Sequence, residues 1–226
     1  MSHFSFGLYP SISVTPKFPS IVFTESVNQS PYPSTATPSF TGVNFGSSHI
    51  TREIFILVQW TSNSLRSLSS ATIGGVSATL GTQRNLTSIR GTRIIFATLP
   101  TGSTGTVALT FSGIIGAVRI SVFNVTDRKV IGAGESDYAA TTNGTTSHTI
   151  VTGNITAPED GFLISSLMYN GGTTNPTISG MSLTRRAYDG SFGVASSGIF
   201  ETETTGSATW SRTSMPLASV ATWAFE

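Results

Sequence analysis

Cysteine is absent from this 226-residue chain, which removes disulfides, thiolate nucleophiles and thiolate zinc sites from consideration. Charge is scarce as well: 12 Lys and Arg against 11 Asp and Glu leave a formal net charge of +1. Only Arg128-Lys129 and Arg185-Arg186 are adjacent cations. Nucleic-acid binding needs a clustered basic face to displace counterions from phosphates, so no nucleic acid is expected as a partner. No uninterrupted apolar run approaches the roughly 20 residues that span a bilayer, and no membrane insertion is expected.

Signatures of site chemistry are equally thin. His3, His49 and His148 lie far apart, and none has a second ligand at metal-binding spacing. Neither a Gly-x-Ser-x-Gly elbow nor an Asp-x-Asp-x-Asp-Gly calcium loop occurs. Glycoside cleavage needs two carboxylates flanking the bond. The close pairs are Glu135/Asp137, Glu159/Asp160 and Glu201/Glu203, which edge-strand charges explain equally well. The chain therefore reads as non-enzymatic, with no catalytic residue, no cofactor and no metal.

What the chain has instead is hydroxyl. Counting gives 34 Ser and 35 Thr, alongside a 38% hydrophobic fraction that includes 14 Phe. That suffices for a packed core beneath a polar, weakly charged surface. Such a surface suits contact with other proteins or glycans, and its low charge gives little colloidal repulsion. A stoichiometric assembly fits it better than a concentrated free monomer. Five Asn-x-Ser/Thr sequons, at Asn28, Asn85, Asn124, Asn143 and Asn154, are close to the number expected by chance in so Ser/Thr-rich a chain.

Residues 1–38 differ from the rest. Six of the ten prolines are here, at Pro10, Pro16, Pro19, Pro31, Pro33 and Pro38. Proline fixes φ and lacks a donor, so this segment is not expected to form a helix or a central strand. Phe4, Phe6, Tyr9, Phe18 and Phe23 make it too apolar for a disordered linker. It reads as an extended Pro-rich N-terminal arm, packed on its own domain or docked on a neighbouring subunit. The five aromatics are the expected interaction residues.

From residue 39 to 226 the pattern is strand after strand. Glu53–Trp60 is nearly continuous apolar, as in a strand covered on both faces; Val107, Leu109 and Phe111 alternate, as do Val118, Ile120 and Val122. Gly74-Gly75, Thr101-Gly102, Asn143-Gly144, Asp160-Gly161, Asn170-Gly171-Gly172 and Asp189-Gly190 supply turn chemistry. The reading is all-β: an antiparallel β-sandwich, jelly-roll- or Ig-like, closed as one two-sheet body over 39–226. A split into two Ig-sized domains within 131–147 is the second arrangement.

The runs IGGVSATLGTQ (73–83) and RIIFATLPTGSTGTVALTFSG (93–113) resemble a pattern in uncharacterised virion structural proteins of tailed bacteriophages, notably those infecting alphaproteobacteria. GFLISSLMYN and the closing ATWAFE (221–226) complete the similarity, which spans residues 39–226. It implies a phage structural role and brings no catalytic residues. It agrees with a surface built for the outside behind an N-terminus, MSHFSFGLYPSISVTPK, that shows no export signal. The expectation is a virion protein made in the host cytoplasm, a capsid decoration (cement) or tail-associated component contacting other virion proteins or copies of itself. The alternative is a glycan-binding module for a host-surface glycan, with Tyr169 and Tyr188 stacking on sugar rings and Arg185 and Asp189 binding hydroxyls.

Overall fold

The computed structural model describes residues 19–29, 34–87, 89–128, 136–141, 147–169, 176–189, 192–213 and 218–225. Among them there is no helix, and the strands form five antiparallel sheets. The first half supplies β1 (Ser20–Asn28), β2 (Ser39–Asn44), β3 (Glu53–Thr61), β4 (Leu68–Ile73), β5 (Val76–Ser77), β6 (Thr79–Thr87), β7 (Arg90–Thr98), β8 (Thr104–Phe111) and β9 (Ala117–Thr126). The second supplies β10 (Ser136–Thr141), β11 (Ser147–Val151), β12 (Ile155–Ala157), β13 (Phe162–Tyr169), β14 (Thr177–Ser179), β15 (Thr184–Asp189), β16 (Phe192–Ser196), β17 (Thr204–Gly206), β18 (Thr209–Thr213) and β19 (Ala218–Phe225).

Side-chain alternation stacks these sheets in layers. In β3, Ile54, Ile56, Val58 and Trp60 point one way and Phe55 and Leu57 the other, and all are buried. The first set joins Ile95, Ile120, Val122, Leu109 and Phe111 in a cluster between the sheet β1-β9-β3-β7-β6 and the sheet β2-β8-β4-β5. The second set joins Phe96, Phe123, Phe162, Ile164, Trp223 and Phe225, between the first sheet and the sheet β10-β19-β13-β16-β15. Beyond that third layer, two smaller clusters lie under β11-β18-β14 and β12-β17. Antiparallel sheets commonly face water on one side; here the two five-stranded sheets are covered on both. That is why β3 reads as a nearly continuous apolar run.

Turn chemistry follows the sequence. Gly74 and Gly75 close the β4–β5 hairpin at φ 59 and 84, and Asp160 of the Asp-Gly pair sits at φ 60. Gly91 has a different reason to be glycine: a Cβ there would lie 2.2 Å from the Trp60 ring.

The strand order of the second half repeats that of the first. The order β1-β9-β3-β7-β6 matches β10-β19-β13-β16-β15, and β2-β8-β4 matches β11-β18-β14. Sequence keeps a trace: Thr72–Thr79 and Thr177–Thr184 share Thr, Ile, Gly, Ser and Thr at five of eight places. The equivalent sheets pack face to face with equivalent residues meeting. Phe55 and Phe162 lie edge to face with centroids 5.4 Å apart, and Gln59 Nε2 donates to Ser166 Oγ at 2.8 Å. Contacts 55–162 and 59–166 advance together, so β3 and β13 run the same way. The halves are related by an approximate two-fold along the strands.

Two expectations change. The strands do not close as one two-sheet body; they divide into two similar halves between Thr126, the end of β9, and Ser136, the start of β10. The N-terminal boundary at 38 also moves. Ser20–Asn28 pair along β9 from Ser20↔Thr126 to Asn28↔Arg119, and Thr35 bridges Ile115. These residues belong to the body as an edge strand, a position proline-rich neighbours tolerate.

Candidate functional site at the seam between the halves

The seam runs from an aromatic pole to a cationic one, and strand register sets the gradient. Across the first sheet, Phe123–Phe55–Phe96 form one row and Ser121–Leu57–Ile94 the next. The third row is Arg119–Gln59–Thr92–Arg84, followed by Arg90 opposite Thr61. At the aromatic pole, Phe55 stacks on Phe96 at 4.9 Å and meets Phe225 edge-on at 4.9 Å. Arg128 lies over both rings, 5.1 and 5.3 Å from their centroids, and donates to both Glu53 carboxylate oxygens at 2.6 and 3.1 Å. A two-point ion pair over a π face is well placed to hold rings in register.

The other pole is held by hydrogen bonds. Gln59, fully buried, donates through Nε2 to Ser166 Oγ, Leu167 O (3.0 Å) and Gly193 O (3.2 Å). Thr92 Oγ1 donates to Ser166 Oγ at 3.1 Å, and Arg119 Nη1 reaches Phe192 O at 3.4 Å. The C-terminal ends of β3 and β6 lie at this pole, with the C-terminal ends of β13 and β15 beside them.

Arg52 holds the opposite pole of the first half. It is fully buried with no acidic partner, and its guanidinium donates to Leu99 O, Gly46 O, Ser47 O, Thr101 O and Gly102 O at 2.6–3.1 Å. Those five bonds use every N–H of the fork and tie the β2–β3 connection to the β7–β8 connection. Burial lowers the Arg52 pKa from its usual value.

The sequence-predicted residues fall as follows. Phe4, Phe6, Tyr9 and Phe18 lie outside the described residues. Phe23 is not on an arm: it sits in β1, half-buried, edge to face with Phe123 at 5.5 Å. Tyr169 is fully buried with Trp210, Leu167 and Val220, so its ring has no open face for a sugar. Strand alternation is the reason, because β13 is covered on both sides and neither parity leads to solvent. Arg185, Tyr188 and Asp189 are on β15, an edge strand of the third layer; Tyr188 pairs Gly193 and Asp189 pairs Phe192. The structure brings these three onto one strand but not together with Tyr169 in an open site.

A 420 Å³ pocket lined by Glu159, Asp160, Ile199 and Glu201 gathers one carboxylate pair and one member of another. Among the described residues no group of three His, Cys, Asp or Glu is arranged to hold a metal. Sequence reasoning missed Arg84, Arg90 and Arg119. Their spacings carry no motif, and only the sheet order aligns them. No protein-family model matches the chain, and neither does any curated protein or solved structure; the phage likeness rests on its sequence pattern alone.

Proposed function

We propose that the chain is a non-enzymatic structural protein of a virus particle, a capsid decoration or tail-associated component that joins subunits, its own copies or other virion proteins. The observation that carries this is β1. Among the described residues it is an edge strand, mostly half-buried, with Val22 exposed, and it follows the aromatic 1–18 segment in sequence. An unpaired edge invites strand addition, and Phe4, Phe6, Tyr9 and Phe18 supply anchors for the same contact. A layered body with no free face on its central sheets suits a load-bearing part.

The finer fold reading belongs here too. Apart from hairpins such as β6–β7 and β15–β16, each half sends successive strands to alternate layers and returns its last strand beside its first. That ordering supports a jelly roll rather than an Ig domain, a form used by capsid and lectin domains alike. The functional weight of that likeness is fold-level analogy only.

The test is a truncation. Removing residues 1–18 is expected to abolish attachment to particles, or self-association in light scattering, while β1 and the body stay folded by circular dichroism. A truncated protein that still attaches and assembles like the full chain would sink the reading. Removing 1–38 would not discriminate, because it also deletes an integral strand.

A further inference from the structure

The connection between β2 and β3 is braced more tightly than an exposed loop requires. Arg52 Nη1 donates to Gly46 O at 3.1 Å and Ser47 O at 3.0 Å. Asn124 Nδ2 donates to Phe45 O at 3.0 Å and Ser47 O at 2.9 Å. Gly46 N donates to Asn44 Oδ1 at 2.8 Å, and Arg52 N closes a turn on His49 O at 3.0 Å. Thr51 Oγ1 donates to Asp127 Oδ1 at 2.7 Å and accepts from Asp127 N at 2.9 Å. Gly46, at φ 73, is pressed against β1 and β9: a Cβ there would lie 3.2 Å from Thr24 Cγ2 and 2.9 Å from Asn124 Nδ2.

The side chain this braced loop holds out is Ile50, 83% exposed, the most exposed large hydrophobic among the described residues. Val22 on β1, 55% exposed, pairs with Asn124, the residue that braces Ser47. Apolar residues scattered singly on a surface need no explanation. An isoleucine on a pre-ordered loop is different, because a partner that covers it has little ordering left to oppose the contact. The corner also adjoins the start of the body: Ser20 pairs with Thr126, one residue before Asp127. Residues 1–18 therefore lead to this corner. They hold Phe4, Phe6, Tyr9 and Phe18, with Lys17 and no acid. The acids of the corner are Asp127 and Glu25, whose carboxylate accepts from Asn44 N. Thr15 and Phe18 each precede a proline, which disfavours the helical backbone that would turn the chain back at once.

We propose that the corner formed by Ile50, Val22 and the 45–51 loop is the docking site for residues 1–18 of a second copy of this chain, with Ile50 as its apolar anchor. Eighteen residues reach roughly 60 Å when extended, enough to leave one body and cross onto the next. The segment leaves each body at the corner that receives its counterpart, so two copies exchange segments about a two-fold axis. This inference rests on the assembly role and names the partner and the surface it uses.

The experiment is light scattering of the full chain over a concentration series, with and without an excess of synthetic peptide of residues 1–18. Wild type is compared with Ile50→Asp and with Leu65→Asp, an exposed aliphatic beyond the other end of β3. Wild type should form a dimer that the peptide dissociates, and Ile50→Asp should weaken that dimer about tenfold or more. Leu65→Asp should dimerise like wild type. All three should share one Tm, because both substituted positions face water. If removing residues 1–18 abolishes association while Ile50→Asp leaves it intact, the assembly role stands and this docking site falls. If neither change matters, both fall. The proposal is also overturned by a full chain that stays monomeric or by a peptide that does not compete. A lowered Tm in Ile50→Asp with association intact would place the segment on its own body and overturn it as well.

Discussion

The two halves share a strand order and differ in what fills them. Between its sheets the first half has one continuous cluster, from Phe40 to Val122, with Trp60 edge to face against Phe111 at 5.1 Å. The second half has two smaller clusters, one around Trp210 and Tyr169 and one around Ile155 and Leu183. Its outer layer is divided in the same way, into β11-β18-β14 and β12-β17. Hydroxyls occupy part of the interior: Ser165 Oγ accepts from Trp210 Nε1 at 2.9 Å and is bonded to Thr222 Oγ1 at 3.0 Å. Strand order thus survives a change from an aliphatic filling to one partly built of hydrogen bonds.

That contrast can be broken at three places, in falling order of expected effect. Arg52→Met leaves five part-buried carbonyl hydrogen bonds without their donor and should cost about 5 kcal/mol. Urea unfolding followed by hydrogen exchange on peptides should show the loss in the first half. Phe55→Ala empties the aromatic pole and should cost about 4 kcal/mol. Its distinguishing mark is a split of one cooperative transition into two, the second half unfolding first. A single unchanged transition would mean that the halves are not coupled through the seam.

The smallest effect tests the hydroxyl interior. Ser165→Ala strands the Trp210 indole N–H and should cost about 1–2 kcal/mol. Exchange protection should fall around β13, β18 and β19 and stay constant in β3 and β7. Equal loss in both halves would contradict the local role given to this network.

Much of the fold was legible, for identifiable reasons. The alternation of Val107, Leu109 and Phe111 and the nearly continuous apolar Glu53–Trp60 run are direct imprints of one-sided and two-sided burial. Gly74-Gly75 and Asp160-Gly161 announced backbone conformations that few other residues adopt. Layering was not legible, because period-two patterns say that a face is covered and not by what. The Pro-rich composition around β1 concealed an edge strand, since prolines flank Ser20–Asn28 without interrupting it. Tyr169 looked available because its neighbours Asn170-Gly171-Gly172 are turn-forming, yet its strand is covered on both sides. The arginine row depends on β9, β3, β7 and β6 lying side by side, which a linear reading does not give.

The parallel run of β3 and β13 has a geometric outcome. Ser20 pairs with Thr126, and Phe225 with Phe162, so both ends of the folded body emerge at the aromatic pole. The C-terminal ends of β3 and β13 lie at the opposite pole. Any partner held through the residues preceding Ser20 would therefore meet the aromatic pole first, with Arg90 at the far end of the seam.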